Sequence, residues 1–522
     1  MNYQYNNHLT RKIKWAIVAS VICLGACNKE ITERNMEYVA LNPASQDEMA
    51  YTWKPIMLTS ADQFGVAAPD SVKSTSYIAE LNEVKSWQKE ITDEEKKIIS
   101  YWQAGAVLRW NEIMRELVAK YNIPPQENPD GSYPTPSANN PFAYPSFPFA
   151  NPPYASRAYA YLSTAQYDAL IAAWYYKSLY KRKAPYHQDN TIKALIPKND
   201  MGSYPSEDAV VAGSSLAILS LLFPGEQDYL QQKMDEYRRY RILSGGNVRS
   251  DLVAGELLGK QVAQLFIARA RTDRAGAAIG TPAQWAALKN NALNYGLIPW
   301  ESMESPIRPP MLPFFGNVRP FLFDSITLAT QLLPATPPLP GTVEFQTETN
   351  EVMKYSKQYD AKKIAIVHFW ADGISTYTPP GHWNAIAADY FVNERYSEVR
   401  WARNMALLNM SLMDAAIACW YTKYHYFNAR PSQINSEIKT WTGLPNFPAY
   451  TSGHSTFSGA AATILSHILP AHSGHFHSMA EEASLSRIYG AIHFRSDCSA
   501  GMDCGQRVAS YAIKCAKADG AE

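Results

Sequence analysis

The sequence predicts an all-α protein built as a duplicated helical bundle, and three observations carry that expectation. Apolar residues recur at helical rather than alternating spacing across most of the 522 residues. Residues 157–177 align with 403–423 at 10 identities in 21 positions, where chance for such compositions gives roughly one in sixteen. The same shift, 423 − 177 = 246, aligns without a gap Tyr204-Pro-Ser206 with Tyr450-Thr-Ser452, Gly213 with Gly459, Pro224 with Pro470, Arg241-Ile242 with Arg487-Ile488, and Arg249-Ser-Asp251 with Arg495-Ser-Asp497. Separate blocks sharing one offset mark an internal repeat.

Residues 1–26 read as a signal peptide. Arg11, Lys12 and Lys14 precede an apolar run from Trp15 to Ala26 that is too short to span a bilayer. The run ends Leu24-Gly25-Ala26-Cys27, which resembles the bacterial lipobox. That resemblance implies a lipidated Cys27 and an exported protein, periplasmic or at the cell surface, held to a bacterial membrane by its lipid alone. Residues 27–95 are weakly periodic and read as an N-terminal leader.

Helical spacing then covers Lys97–Tyr121, Ser156–Tyr180, Ser206–Leu222, Gln227–Leu243 and Asp251–Arg271, giving a first bundle over 96–272. A proline-rich stretch, Pro124–Pro153, interrupts it. Residues 273–349 read as a connector, in which Met311-Leu-Pro-Phe-Phe-Gly-Asn-Val-Arg319-Pro is a candidate pocket rim. The second bundle fills 350–522. A net charge of zero gives no field that would draw the chain to nucleic acid. Beyond the targeting segment, Cys419, Cys498, Cys504 and Cys515 remain; an exported protein can pair some of them, and their spacing suggests no zinc site.

The chemistry is concentrated between Lys423 and Asp497. Lys423 and Arg430 lie seven apart, on one face if helical. Ser452-Gly453 before a helix suits close backbone approach to an anion. Arg487 adds a second guanidinium, and guanidinium forks with an ammonium match the oxygens of a tetrahedral oxyanion. His454 and His493 supply neutral imidazoles for metal ligation, nucleophilic attack or proton transfer. Asp497, one helical turn after His493, is placed to fix its tautomer.

Taken singly, each cluster is an ordinary helix end or turn. Together, Lys423-x6-Arg430-Pro431, Thr451-Ser452-Gly453-His454 and Ser486-Arg487-x5-His493-x3-Asp497 resemble the signature shared by type 2 phosphatidic acid phosphatases, bacterial acid phosphatases and vanadium-dependent haloperoxidases. One departure is Thr451, where the pattern has Pro; it precedes the anion-contacting residues and bears on turn geometry. The resemblance implies two tandem four-helix-type bundles, with vanadate or phosphate as the group bound by Lys423, Arg430, Ser452, Gly453 and Arg487. In a haloperoxidase His493 ligates vanadium and His454 handles a proton; in a phosphatase His493 attacks phosphorus and His454 protonates the leaving oxygen. Phe447-Pro-Ala-Tyr450 is similar to the chloroperoxidase type, and Trp420 matches a Trp near the halide.

The repeat assigns the work to the second half. Ala184, Glu207, Asp208 and Asn247 stand where Arg430, Gly453, His454 and His493 would be, so the first bundle lacks the chemistry. What both halves share, such as Asp168/Asp414, Trp174/Trp420 and Gly255/Gly501, points to packing. Upstream, His368-Phe-Trp-Ala-Asp372 and Pro-Pro-Gly-His382-Trp-Asn384 resemble an element of bacterial haloperoxidase relatives and are expected to face the cage.

The expected function is therefore an enzyme that oxidises halide with hydrogen peroxide. The alternatives are an acid or lipid phosphatase acting on a phosphate ester and, from another class, a non-catalytic anion-binding surface lipoprotein. Loss of His493 separates them, because a mere binder tolerates it and neither enzyme does.

Overall fold

Caps written in the sequence set most helix starts. The computed structural model describes residues 38–123, 129, 151–304 and 307–522; the signal segment, Cys27 and most of the proline-rich stretch lie outside them. Helix α1, Thr75–Trp87, begins at Ser74, whose hydroxyl accepts from the Tyr77 amide. A Thr92/Glu95 capping box opens α2, Asp93–Trp102, and α3, Ala106–Tyr121, follows. Asn151 caps the long α4, Pro152–Tyr180, which has Pro at its start. Ser206 caps α5, Glu207–Leu222; α6, Gln227–Leu243, and α7, Arg249–Thr272, complete the first half.

The second half comprises α8, Val343–Lys357, α9, Ala361–Phe369, and α10, Thr378–Phe391. It continues with α11, Glu398–Tyr426, α12, Gly453–Ile468, α13, Ser473–Tyr489, and α14, Arg495–Ala516. Among the described residues the only strand-like features are two isolated bridges, Lys183 with Gly202 and Pro299 with Asn428. The protein is all-α.

Helices recur at the offset read from the sequence. Those starting at 398, 453, 473 and 495 follow counterparts starting at 152, 207, 227 and 249, each 246 residues earlier. The bonds Tyr204–Pro205 and Tyr450–Thr451 are both cis. Asp168 accepts from the Ile56, Met57 and Leu58 amides, and Asp414 from those of Phe321 and Leu322. The shared aspartates thus pin an incoming segment onto each long helix, a packing role.

Shared glycines serve packing too. A Cβ on Gly255 would lie 2.4 Å from the Ser206 carbonyl, and on Gly501 2.8 Å from that of Ser452. At Gly505 the clash is with the Thr456 carbonyl at 2.1 Å, because α12 and α14 meet backbone to backbone. Gly505→Val is expected to destabilise by about 1–3 kcal/mol or more, read as a lower thermal midpoint; an unchanged midpoint would contradict this contact.

The long helices α4 and α11, buried along most of their length, pack side by side and join the halves. Asn409 donates to Ser163 at 2.8 Å, its own counterpart at the 246 offset. Asn111 donates to Asn384 at 2.9 Å, so Asn384 is a core residue joining the two halves rather than part of the cage.

Two expectations are corrected. The leader carries a helix, α1, which buries Tyr77, Leu81 and Val84 at i, i+4, i+7 spacing. The helix expected over 97–121 breaks at Gly105, whose φ of 118° is open to glycine. There the Glu398 carboxylate accepts from the Ala106 and Val107 amides, and a Cβ on Gly105 would lie 2.7 Å from it. Cysteine pairing, which the sequence leaves open, is absent among these four: Cys419, Cys498, Cys504 and Cys515 are free, the first three being buried against Thr451, Ser484 and Leu332 respectively.

Candidate active site

Five helix ends deliver the residues that the sequence singles out. The last turns of α11 carry Trp420 and Lys423, and Phe427, at φ 51°, ends that helix. Arg430 then caps a short helix, Pro431–Ile434, its amide donating to the Gln433 side chain. Ser452, Gly453 and His454 form the start of α12, where the Ser452 hydroxyl accepts from the Ser455 amide. Arg487 sits in the last turn of α13, and His493 in the bend before α14, whose first turn holds Asp497.

Arg430 donates to His493 Nε2 at 3.1 Å, and His493 Nδ1 donates to Asp497 Oδ2 at 2.9 Å, a tautomer assigned from these partners. The same Asp497 oxygen accepts from the Phe494 amide, and the Ser452 amide donates to the Asp497 carbonyl. Lys423 spends its three protons on the carbonyls of Pro448, Ala449 and Thr451 at 2.8, 2.9 and 2.5 Å. It therefore ties down the loop leading to Ser452 as well as supplying charge. Arg430 also holds the Phe447 and Ile492 carbonyls, and Arg487 that of Val367. Trp420 and Phe447 rings meet at 5.0 Å, and the ammonium of Lys423 lies 4.8 Å from the Phe447 centroid. Lys423, Arg430, Arg487 and His454 all lie close enough to His493 to act on its charge.

Electrostatics make this a site short of negative charge. Burial, then Arg430's like charge, lowers Lys423 to about 7, and burial lowers Arg430 and Arg487 to about 10. Burial first, then the cations, holds His493 well below its ordinary value; burial, Arg487 and His382 do the same for His454. Both rings are neutral at neutral pH. Burial raises Asp497 to about 7.

Two further observations fit an oxyanion. Gly453 is no packing glycine, since its Cβ would meet nothing nearer than Trp420 at 3.8 Å and Phe457 at 3.9 Å. His454 Nε2 is buried without a hydrogen-bond partner, a polar atom expected to find one.

The first half shows the same cations already neutralised. Lys177 pairs with Glu207 at 2.6 Å and Arg241 with Asp208 at 2.6 Å, while Asn247 accepts from Arg241 at 2.8 Å. Carboxylates of the chain itself occupy the role that a bound anion would have.

The electrostatics fix a sign for pH. A bound anion raises Lys423, so affinity is full below the free value of about 7 and falls as pH rises through it toward the bound value; ionisation of Asp497 acts in the same direction. Sulfate, whose charge is constant over this range, is expected to bind up to about tenfold more weakly per pH unit above 7. Calorimetric titration from pH 6 to 9 reads this, and a flat profile would contradict it.

The upstream element adds residues to the site. Asp372 Oδ2 lies 3.9 Å from His454 Nε2, and His382 Nδ1 lies 3.0 and 3.2 Å from the two Asp372 oxygens. His368 is exposed and apart. The Met311 carbonyl accepts from Trp420 Nε1 and the Tyr424 hydroxyl, placing the connector over the Trp420 side of the site. Nothing local in the sequence ties Asp372 to His454; the bend between α9 and α10 brings them together.

Residues 404–520, the segment carrying the three clusters, match the model of the PAP2 superfamily. A crystal structure of the first bacterial vanadium-dependent iodoperoxidase aligns at a TM-score of 0.55 and 23% identity, covering 70% of this chain and 91% of that one. A holo bacterial vanadium-dependent chloroperoxidase aligns at a TM-score of 0.48 and 13% identity, covering 73% and 96%. The first likeness shows the shared fold. The curated proteins contain no significant match. The superfamily match supports an enzyme.

Proposed function

We propose that this chain is a vanadium-dependent haloperoxidase, holding vanadate in the Lys423/Arg430/Arg487 cage and oxidising halide with hydrogen peroxide. The observation that carries the proposal is His493: a neutral ring whose Nδ1–H is fixed on Asp497 and whose deprotonated Nε2 accepts from Arg430, a hydrogen bond that a bound oxyanion would take over to leave Nε2 as the metal ligand. Vanadate, when bound, supplies a Lewis-acid centre toward peroxide.

The chain's residues do the remainder. Lys423, Arg430 and Arg487 balance the charge of the oxyanion, and the Ser452–Gly453 turn at the start of α12 offers backbone donors. His454 Nε2, neutral and unpartnered, takes up and returns the peroxide proton. Trp420 and Phe447 give the cage an apolar wall that limits water. On the reading of residues 1–27 the enzyme is exported and tethered through Cys27; no described helix is long and apolar enough to cross a membrane.

The superfamily match favours phosphatase as the second reading, with His493 Nε2 as nucleophile. One preparation tests both. Freed of anion, reloaded with orthovanadate and given peroxide, it is expected to oxidise iodide, bromide or chloride. Absence of halide oxidation, with phosphomonoester hydrolysis and phosphate trapped on His493 when vanadate is withheld, would replace the proposal by the phosphatase. Neither activity, with phosphate still bound, would leave the anion-binding lipoprotein.

A further inference from the structure

We infer that His382 is a positioning residue of the anion cage: its Nδ1–H holds the Asp372 carboxylate off Arg487, so that the carboxylate does not compete with the bound oxyanion. This rests on the oxyanion reading of the cage and goes beyond it.

Geometry makes the case. His382 Nδ1 faces both oxygens of Asp372, at 3.0 and 3.2 Å. The carboxylate is almost enclosed and lies 3.9 Å from His454 Nε2. Arg487 feels Asp372 as its strongest charged neighbour. An enclosed carboxylate is held by the hydrogen-bond donor within its reach. Here that donor is His382. Its ring stacks on Trp370 at 4.6 Å and 29°, Trp370 stacks on Trp383 at 5.9 Å, and Trp383 Nε1 donates to Ser458 on α12, the helix that carries His454. Phe369 and Tyr377 close the ring's edges at 5.1 and 6.0 Å.

The repeat supports the same conclusion. The run Ile98-Ile-Ser-Tyr-Trp102-Gln-Ala104-Gly corresponds to Ile366-Val-His-Phe-Trp370-Ala-Asp372-Gly, and Arg109-Trp-Asn to His382-Trp-Asn. The first half thus has Ala104 and Arg109 where the second has Asp372 and His382, and Arg109 pairs with Glu112 instead. These two positions change between the halves together with those of His454 and His493, whereas Trp102/Trp370 and Trp110/Trp383 persist. A purely structural His382 would be expected to persist with its tryptophans.

The test is a double-mutant cycle on inorganic phosphate binding by the purified full chain, measured calorimetrically at pH 7 and without turnover. His382→Phe keeps the stacked ring and removes the donor; it is expected to weaken phosphate binding about fivefold, the size of a modest site coupling. Asp372→Asn removes the competing charge and should tighten binding. In the double variant the His382→Phe penalty should vanish. His382→Asn keeps an N–H near the Nδ1 position and should bind like wild type. The inference is overturned if His382→Phe binds phosphate as wild type does, if its penalty survives undiminished in the Asp372→Asn background, or if His382→Asn is as weak as His382→Phe. A wild-type chain that binds no phosphate would overturn the cage reading and this inference together, an outcome distinct from the other three.

Discussion

His493→Ala is expected to lose both vanadium retention through gel filtration and halide oxidation, down to the level of protein-free buffer. His493 Nε2 is the ring nitrogen left over once Nδ1–H is committed to Asp497 at 2.9 Å, and no other described imidazole sits beside Arg430. Burial with three nearby cations keeps the ring neutral, and only a neutral ring can ligate. Misfolding is the competing explanation for any such loss, and the first half supplies the control. Asn247 stands at the matching position, where it accepts from Arg241 at 2.8 Å and donates to the Ser203 carbonyl at 3.0 Å. His493→Asn therefore has a precedent for fitting this bend, and it should keep the wild-type thermal midpoint while losing vanadium and activity. Retained vanadium and turnover in that variant would remove His493 from the role of ligand.

The site was legible because its chemistry is local. Lys423 with Arg430, Ser452 with His454, and Arg487 with His493 and Asp497 each lie within a few turns of chain, and the helix ends that carry them are marked by caps such as Ser452. The 246-residue offset was legible because α4 and α11 keep their aspartates, tryptophans and packing along it. What the sequence hid depends on partners far along the chain. Gly105 breaks a helix because Glu398, 293 residues later, caps the next one. The helix α1 appears as a leader in the sequence, yet its Glu80 accepts from the Ser250 amide and hydroxyl as Glu348 of α8 does from Ser496. That pair is offset by 268 rather than 246, so a gap-free comparison could not find it. Asp372 reaches His454 through the bend between α9 and α10, a turn that no spacing rule predicts.

His454→Ala should separate binding from turnover. Its Nε2 makes no hydrogen bond in the structure, and the groups that neutralise an oxyanion, Lys423, Arg430 and Arg487, are held by Phe447, Ile492, Val367 and the 448–451 loop rather than by His454. Removing the ring leaves that frame standing, so vanadium content should stay near the wild-type value. Turnover should fall by about 10²–10⁴-fold, the usual contribution of a placed proton carrier. Added imidazole, small enough to enter the space left by the ring, should restore part of the rate without changing vanadium content. A merely structural His454 predicts otherwise: vanadium and activity would fall together, as for His493→Ala, and imidazole would restore neither. Full activity in His454→Ala would instead pass the proton to Asp372, the nearest other acid on that side of the cage, and the double variant His454→Ala/Asp372→Asn would then be the one to go silent.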